Sequence, residues 1–140
     1  MDIKVEQRDM SFKALIFVFT VITCFCASAE AIDITINQCF CSHETISKDG
    51  DAARGDVIQQ VMDNTPNSRS YSFTGKKQRG GETYWAQAEC YYFLPKPDCI
   101  KCLPVAWDFL VKECKQQTGG RVKLGSCQLR FENHEFEINW

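Results

Sequence analysis

Nine cysteines stand in a chain of 140 residues, and they offer the widest choice of chemistry in the sequence. Disulfides, a redox dithiol and a metal site all compete for them. Cys99-Ile100-Lys101-Cys102 has the C-x-x-C spacing of a redox pair, in which a helix N-terminus lowers a thiol pKa. A thioredoxin-like pair needs a βαβ unit with parallel strands around it, and the pattern here reads as an antiparallel sheet without βαβ alternation. Structural zinc needs four reduced ligands. Cysteines of an exported chain meet an oxidising compartment, where they pair with each other instead. His43 and His134 are isolated, so no nucleophile–base set forms in the sequence. The residues therefore predict no enzyme, no cofactor and no metal.

The N-terminal segment points to export. Ala14 to Ala27 is an uncharged apolar run of 14 residues, preceded by Lys13. It is short for a bilayer span of about 20 residues and suits the apolar region of a signal peptide. Ala27-Ser28-Ala29 and Ala29-Glu30-Ala31 supply small residues for cleavage after 29 or 31. Before the run, Asp2, Glu6 and Asp9 offset Lys4 and Arg8, so Met10 is an alternative start. A signal peptide over 1–29 leaves a secreted, extracellular domain over 32–140, with no transmembrane anchor. That domain has net charge −1, which gives no drive toward nucleic acid. It keeps seven cysteines: Cys39, Cys41, Cys90, Cys99, Cys102, Cys114 and Cys127. Seven in a secreted chain of this size reads as three bridges and one spare thiol.

Hydrophobic periodicity supplies the elements that must hold these cysteines. Ile32, Ile34 and Ile36 alternate with polar residues, as a strand does. Ala52 to Asn64 has a helical stripe of Val57, Ile58, Val61 and Met62, ended by Pro66-Asn67. Tyr71 and Phe73 alternate as a strand. A long basic turn over 75–81 follows, carrying Lys76, Lys77 and Arg79, and a strand resumes over 83–89. A second helix starts after Pro95-Lys96-Pro97 with Asp98 as its cap, and Pro104 breaks or kinks it. Its apolar face is Leu103, Trp107, Leu110 and Cys114, and Gly119-Gly120 stops it. Val122/Leu124, Leu129/Phe131 and Phe136/Ile138/Trp140 are the closing strand pieces. The expectation is an α+β domain in which two helices pack on a five-stranded antiparallel sheet.

Cys90, Cys99 and Cys102 make the pattern C-x8-C-x2-C. Around it stand Ala88-Glu89-Cys90, Asp98-Cys99-Ile100-Lys101-Cys102-Leu103, Gly120-Arg121-Val122-Lys123-Leu124 and Cys127-Gln128-Leu129-Arg130-Phe131-Glu132. This combination resembles the ginkbilobin-like domain of plant cysteine-rich secretory proteins, also called the stress-antifungal domain. The resemblance runs from about Ile34 to Phe136. It implies the same two-helix, five-strand fold and three bridges: Cys90–Cys99, Cys102–Cys127, and Cys114 with either Cys39 or Cys41. The spacing to the Asn64-Thr65 that ends the first helix favours Cys39. The spare thiol of this pair could link two chains as a disulfide dimer.

Some members of that family bind mannose and inhibit fungi. The resemblance places the family's sugar site on Arg121, on Glu132 and on the residue after the first bridged cysteine, an Asn in the family. Here that position is Phe40 after Cys39, or Ser42 after Cys41, and neither carries a carboxamide. Phe40 could stack on a sugar; Ser42 could offer one hydroxyl. A guanidinium fork and a carboxylate suit sugar hydroxyls, which both donate and accept. The competing reading of Arg121 and Glu132 is a cross-strand charge pair on the solvent face of the sheet. Trp85 falls on the polar side of its strand and could stack on a carbohydrate. Two functions follow from the resemblance. One is a secreted defence protein of the apoplast, antifungal, with weak or altered binding to mannose-type glycans of the fungal wall. The other is an extracellular protein–protein module, engaging plant proteins without lectin activity.

Overall fold

The structure, a computed structural model, describes residues 31–137. The expected signal peptide, the Met10 start and the end of the last strand piece, Ile138 and Trp140, lie outside the described residues. Five strands, β1 (Ile36–Cys41), β2 (Ser72–Arg79), β3 (Glu82–Cys90), β4 (Gly120–Leu124) and β5 (Cys127–Glu132), form one antiparallel sheet in the order β1-β4-β5-β3-β2. Two helices, α1 (Lys48–Asn64) and α2 (Lys96–Cys114), pack on it. This is the expected α+β architecture. No described helix is long and apolar enough to cross a membrane.

The core lies between the helices and one face of the sheet. Val57, Ile58 and Val61 of α1 and Leu103 and Leu110 of α2 meet Ala86, Val122, Leu129 and Phe131, all fully buried. Burying each large apolar side chain contributes roughly 1.5–3 kcal/mol. Three disulfides join the layers: Cys90–Cys99, Cys102–Cys127 and Cys41–Cys114. The first two are as the resemblance implied; the third uses Cys41 and not the Cys39 that the spacing favoured, because Cys41 is the residue opposite Gly120, where β4 begins after α2.

Arg54 adds a polar clamp inside this core. It is only 6% exposed. Its guanidinium pairs with Asp51 and donates to the Lys115 carbonyl at 3.0 Å, just past the end of α2. It also lies about 5.5 Å from the Trp107 ring centre and 5.3 Å from that of Phe131. A cation at a helix C-terminus, facing aromatic rings, is favourable on both counts.

Several expected boundaries move, each for a local reason. The first strand is Ile36–Cys41, not 32–36, and its register shifts between Ile36 and Gln38. That bulge changes the alternation, leaving Ile34 and Ile36 about half exposed while Cys39 and Cys41 turn inward. Helix α1 begins at Lys48, because Ser47 caps it by accepting from the Gly50 N–H at 3.0 Å. The long basic turn is a two-residue Gly80-Gly81 hairpin with φ of 53° and 87°, so Lys76, Lys77 and Arg79 are strand residues. Helix α2 is entered through Pro95, which has no side-chain cap, so Asp98 is a first-turn residue and not the cap. The helix continues through Pro104, which lies on its exposed side. It ends at Cys114, ahead of Gly119-Gly120, where Gly120 opens β4 instead.

Gly75 explains why a glycine reads as a turn yet lies in a strand. A side chain there would meet Gln60 at 2.8 Å and Val61 at 3.1 Å, so α1 approaches the β2 backbone directly. Gly55, on α1, has open space around it. Gly75→Ala is therefore expected to lower stability by roughly 1–2 kcal/mol, through overpacking. Gly55→Ala is expected to raise it by about 0.5–1 kcal/mol, through helix propensity. Urea unfolding of the oxidised proteins measures both, and the two variants should move the midpoint in opposite directions.

Tyr84 sets a pH limit on the fold. It is fully buried, and its hydroxyl has no hydrogen-bond partner among the described residues. Burial and then the nearby Glu82 carboxylate push its pKa up to about 12, against a partial opposing effect of Arg54. The unfolded chain loses this proton near pH 10, so between about pH 10 and about 12 it holds fewer protons than the folded chain. This contribution is complete below the unfolded value and is lost across that window, by up to roughly 2–3 kcal/mol. Tyr84→Phe should flatten that alkaline fall and cost little at neutral pH, because no partner is orphaned. Unfolding free energies of both proteins across the alkaline range measure the difference.

Candidate functional site

The C-terminal ends of β1 and β5 and the start of β4 meet at one end of the sheet, on the face away from the helices. Phe40 is opposite Arg121 across β1 and β4, and Arg121 is opposite Arg130 across β4 and β5. Glu132 is two residues beyond Arg130, so it shares that face. Phe40, Cys41, Ser42, Arg121, Arg130 and Glu132 line a groove of about 240 Å³ there. Drug-sized pockets run to about 300–1,000 Å³, so this groove suits a group of single-ring size.

The arrangement of charges differs from a simple pair. Glu132 accepts from the Arg130 Nε–H at 3.2 Å. Arg121 forms no ion pair among the described residues, and its guanidinium lies over the Phe40 ring at 4.5 Å. The expected Arg121–Glu132 cross-strand pair is thus not formed, because register places Arg130 opposite Arg121. Two guanidiniums facing each other are unfavourable, and the Glu132 carboxylate beside them offsets this. The groove carries two cations and one anion, with Arg121 held by a ring and not by a carboxylate.

Ser42 sits at the groove wall in a constrained place. Its N–H donates to the Gly119 carbonyl at 2.9 Å, and its hydroxyl accepts from the Gly119 N–H at 2.9 Å. The hydroxyl is also 3.1 Å from that of Thr118. A side chain at Gly119 would collide with the Glu132 carboxylate, so this glycine lets Glu132 lie against the backbone. Since Cys41 is the bridged cysteine, Ser42 occupies the position after it. Phe40 lies on the groove too, so both residues weighed for that position border it.

All the sequence-derived site residues therefore come together: Arg121, Glu132, Phe40 and Ser42. Arg130 joins them in the groove, and Phe136 packs against it. Arg130 was legible in principle, because period-two alternation places it on the face of Glu132. Phe136, expected in a closing strand, instead lies in a segment without regular structure after β5, with its ring centre 4.1 Å from the Arg130 guanidinium carbon, and no strand pattern could place it there. Trp85 is half-buried opposite Glu132, with Lys76 Nζ 5.0 Å from its ring centre. It borders a second groove of about 550 Å³, with Glu44, Glu82, Thr118 and Asn133.

Comparison with known proteins agrees with this architecture. The chain is 39% identical over 57 residues to cysteine-rich receptor-like protein kinase 2 of Arabidopsis thaliana, covering 41% of this chain and 9% of that protein. It is 34% identical over 70 residues to the antimicrobial ginkbilobin-2-like protein of Castanea crenata, covering 50% of this chain and 29% of that one. The chain thus matches under a third of the length of either curated relative. Its fold is similar to the tandem DUF26 ectodomains of the Arabidopsis thaliana cysteine-rich receptor-like proteins PDLP8 and PDLP5. The TM-scores are 0.68 and 0.65 at 19% and 18% identity. The matches cover 74% and 73% of this chain and 51% and 52% of those chains, about half of each tandem. The salt stress response/antifungal family model matches residues 38–134, which carry every bridged cysteine and all the groove residues, and the chain belongs to that family.

Proposed function

We propose that this chain acts in the apoplast as a secreted antifungal defence protein, and that the groove at the end of the sheet is where it engages mannose-type glycans. The observation that carries this reading is the convergence of Ser42, Arg121 and Glu132 on one ring-sized groove. Arg121 is free of any carboxylate among the described residues, so its fork can donate to sugar hydroxyls without breaking an ion pair. Glu132 has one oxygen on Arg130, leaving acceptor capacity for a hydroxyl. The binding is weak or altered, because Ser42 lacks a carboxamide and its hydroxyl is already engaged with Gly119. Export of the chain rests on the apolar run and small residues near positions 14–31.

A second reading is an extracellular protein–protein module without lectin activity. Exposed apolar side chains favour it: Tyr92 is 87% exposed and Phe93 62%, in the turn before α2, and Ile100 is 51% exposed near the start of that helix. Solved neighbours of this fold are receptor-like ectodomains.

Titration calorimetry with mannose and mannan, alongside hyphal growth inhibition, separates the two. On the glycan reading, Arg121→Ala and Glu132→Ala each weaken mannan binding by about tenfold or more, as lost charge-assisted hydrogen bonds do. Ser42→Asn should strengthen it, by supplying the carboxamide that this chain lacks. Undiminished fungal inhibition in Arg121→Ala and Glu132→Ala, with no heat of mannan binding in any protein, would leave the protein–protein reading.

A further inference from the structure

On the inner side of β1 the structure brings three sulfurs together. Cys39 and Cys41 are two residues apart in a strand, so both project from one face. Cys114, at the end of α2, reaches the same place. The sulfurs of Cys39, Cys41 and Cys114 all lie within 4.8 Å of one another. Cys41 and Cys114 are bonded, with Cα atoms 5.3 Å apart, and Cys39 is a half-buried free thiol. A thiol held this close to a disulfide is placed to attack it, since exchange needs access to one sulfur of the bridge.

The geometry points to an internal thiol–disulfide exchange, in which Cys39 displaces Cys41 from Cys114. Cys39 first gives up its proton. The thiolate lone pair then attacks the Cys114 Sγ, and the Cys39–Cys114 bond forms as the Cys41–Cys114 bond breaks. The bonding pair leaves on the Cys41 sulfur, which takes up a proton. One disulfide and one thiol are present before and after, so no oxidant or reductant is required. The alternative product, a Cys39–Cys41 bridge, is disfavoured. Residues two apart in a strand lie about 6.6 Å apart, at the long end of disulfide Cα separations.

Two features keep the Cys41 bridge as the resting form. Burial, and then the Glu113 carboxylate, push the Cys39 thiol up from its ordinary pKa, so it holds its proton at neutral pH. Cys41 also stands opposite Gly120, at the point where β4 follows α2, whereas Cys39 stands opposite Val122, farther along the strand. Exchange therefore moves the anchor of β1 by two residues. It releases Cys41, which lines the groove beside Ser42. The device would alter that groove whatever its ligand, so it does not depend on the glycan reading.

The test is a disulfide map of the full oxidised protein. The protein is held at mildly alkaline pH, quenched in acid, labelled with N-ethylmaleimide and digested with pepsin without reduction. Peptides joined through Cys39 and Cys114, with the label on Cys41, are expected in roughly 0.1–10% of molecules, the usual range for a minor state. A map holding only Cys41–Cys114 after prolonged incubation, or one with the label on Cys114, would overturn the proposal. Cys41→Ser gives a second measurement: it should oxidise to a Cys39–Cys114 bridge and carry no labelled thiol. Labelled Cys39 and Cys114 together in folded Cys41→Ser would also overturn it. Should that variant not fold, the wild-type map decides.

Discussion

Helix α2 carries one half of every disulfide. Cys99, Cys102 and Cys114 tie it to the ends of β3, β5 and β1 through Cys90, Cys127 and Cys41. Cys90 and Cys127 are themselves register partners in neighbouring strands, so the first two turns of the helix are fastened across two strands at once. In the chain-entropy account, bridges closing loops of 9, 25 and 73 residues restrict the unfolded chain by about 2.6, 3.5 and 4.4 kcal/mol. The longest loop is the Cys41–Cys114 bridge, and it alone holds the edge strand β1 to the helix layer covalently. A domain of this size has a limited core, and covalent ties between its layers make up the difference.

The groove follows from that fastening. The Cys41–Cys114 bridge sets where β1 ends against the start of β4, and Ser42 then bonds to Gly119 through both its backbone N–H and its hydroxyl. Arg121, Arg130 and Glu132 stand on two central strands of the sheet, so their backbones are held by pairing on both sides. The side chains are braced by neighbours in turn: Arg121 by Phe40, Arg130 by Phe136 and Glu132. Recognition groups placed on rigid strands need little ordering when a ligand arrives. The opposite face of the same strands is the apolar core, so the alternation that builds the fold also exposes the site.

Most of the fold could be read from periodicity, and the errors fall where a local pattern has more than one structural use. Val57, Ile58 and Val61 mark α1, and Leu103 and Leu110 mark α2, because each stripe repeats over several turns. Gly75 was misread as part of a turn because glycine has two uses, a bend or a close approach, and a local pattern does not separate them. The contact of β2 with Gln60 and Val61 does. The alternation of Ile32, Ile34 and Ile36 placed the first strand too early, because the paired strand is Ile36–Cys41 and a register shift between Ile36 and Gln38 changes its phase. Asp98 has the chemistry of a cap, but Pro95 enters the helix three residues earlier.

By itself the sequence determined which cysteines could bridge, the number of bridges, the two helices and the sheet, and the candidacy of Arg121 and Glu132. These follow from spacing, alternation and family resemblance, all of which are properties of the chain order. Only the tertiary structure decided between Cys39 and Cys41. Two cysteines on the same face of one strand are equivalent to any periodic pattern. What separates them is the distance to Cys114, fixed by the register of β1 on β4 and by the point where α2 ends. The same registry placed Ser42 at the groove wall, put Arg130 where a partner for Arg121 had been expected, and left Cys39 as a free thiol beside a bond it can reach.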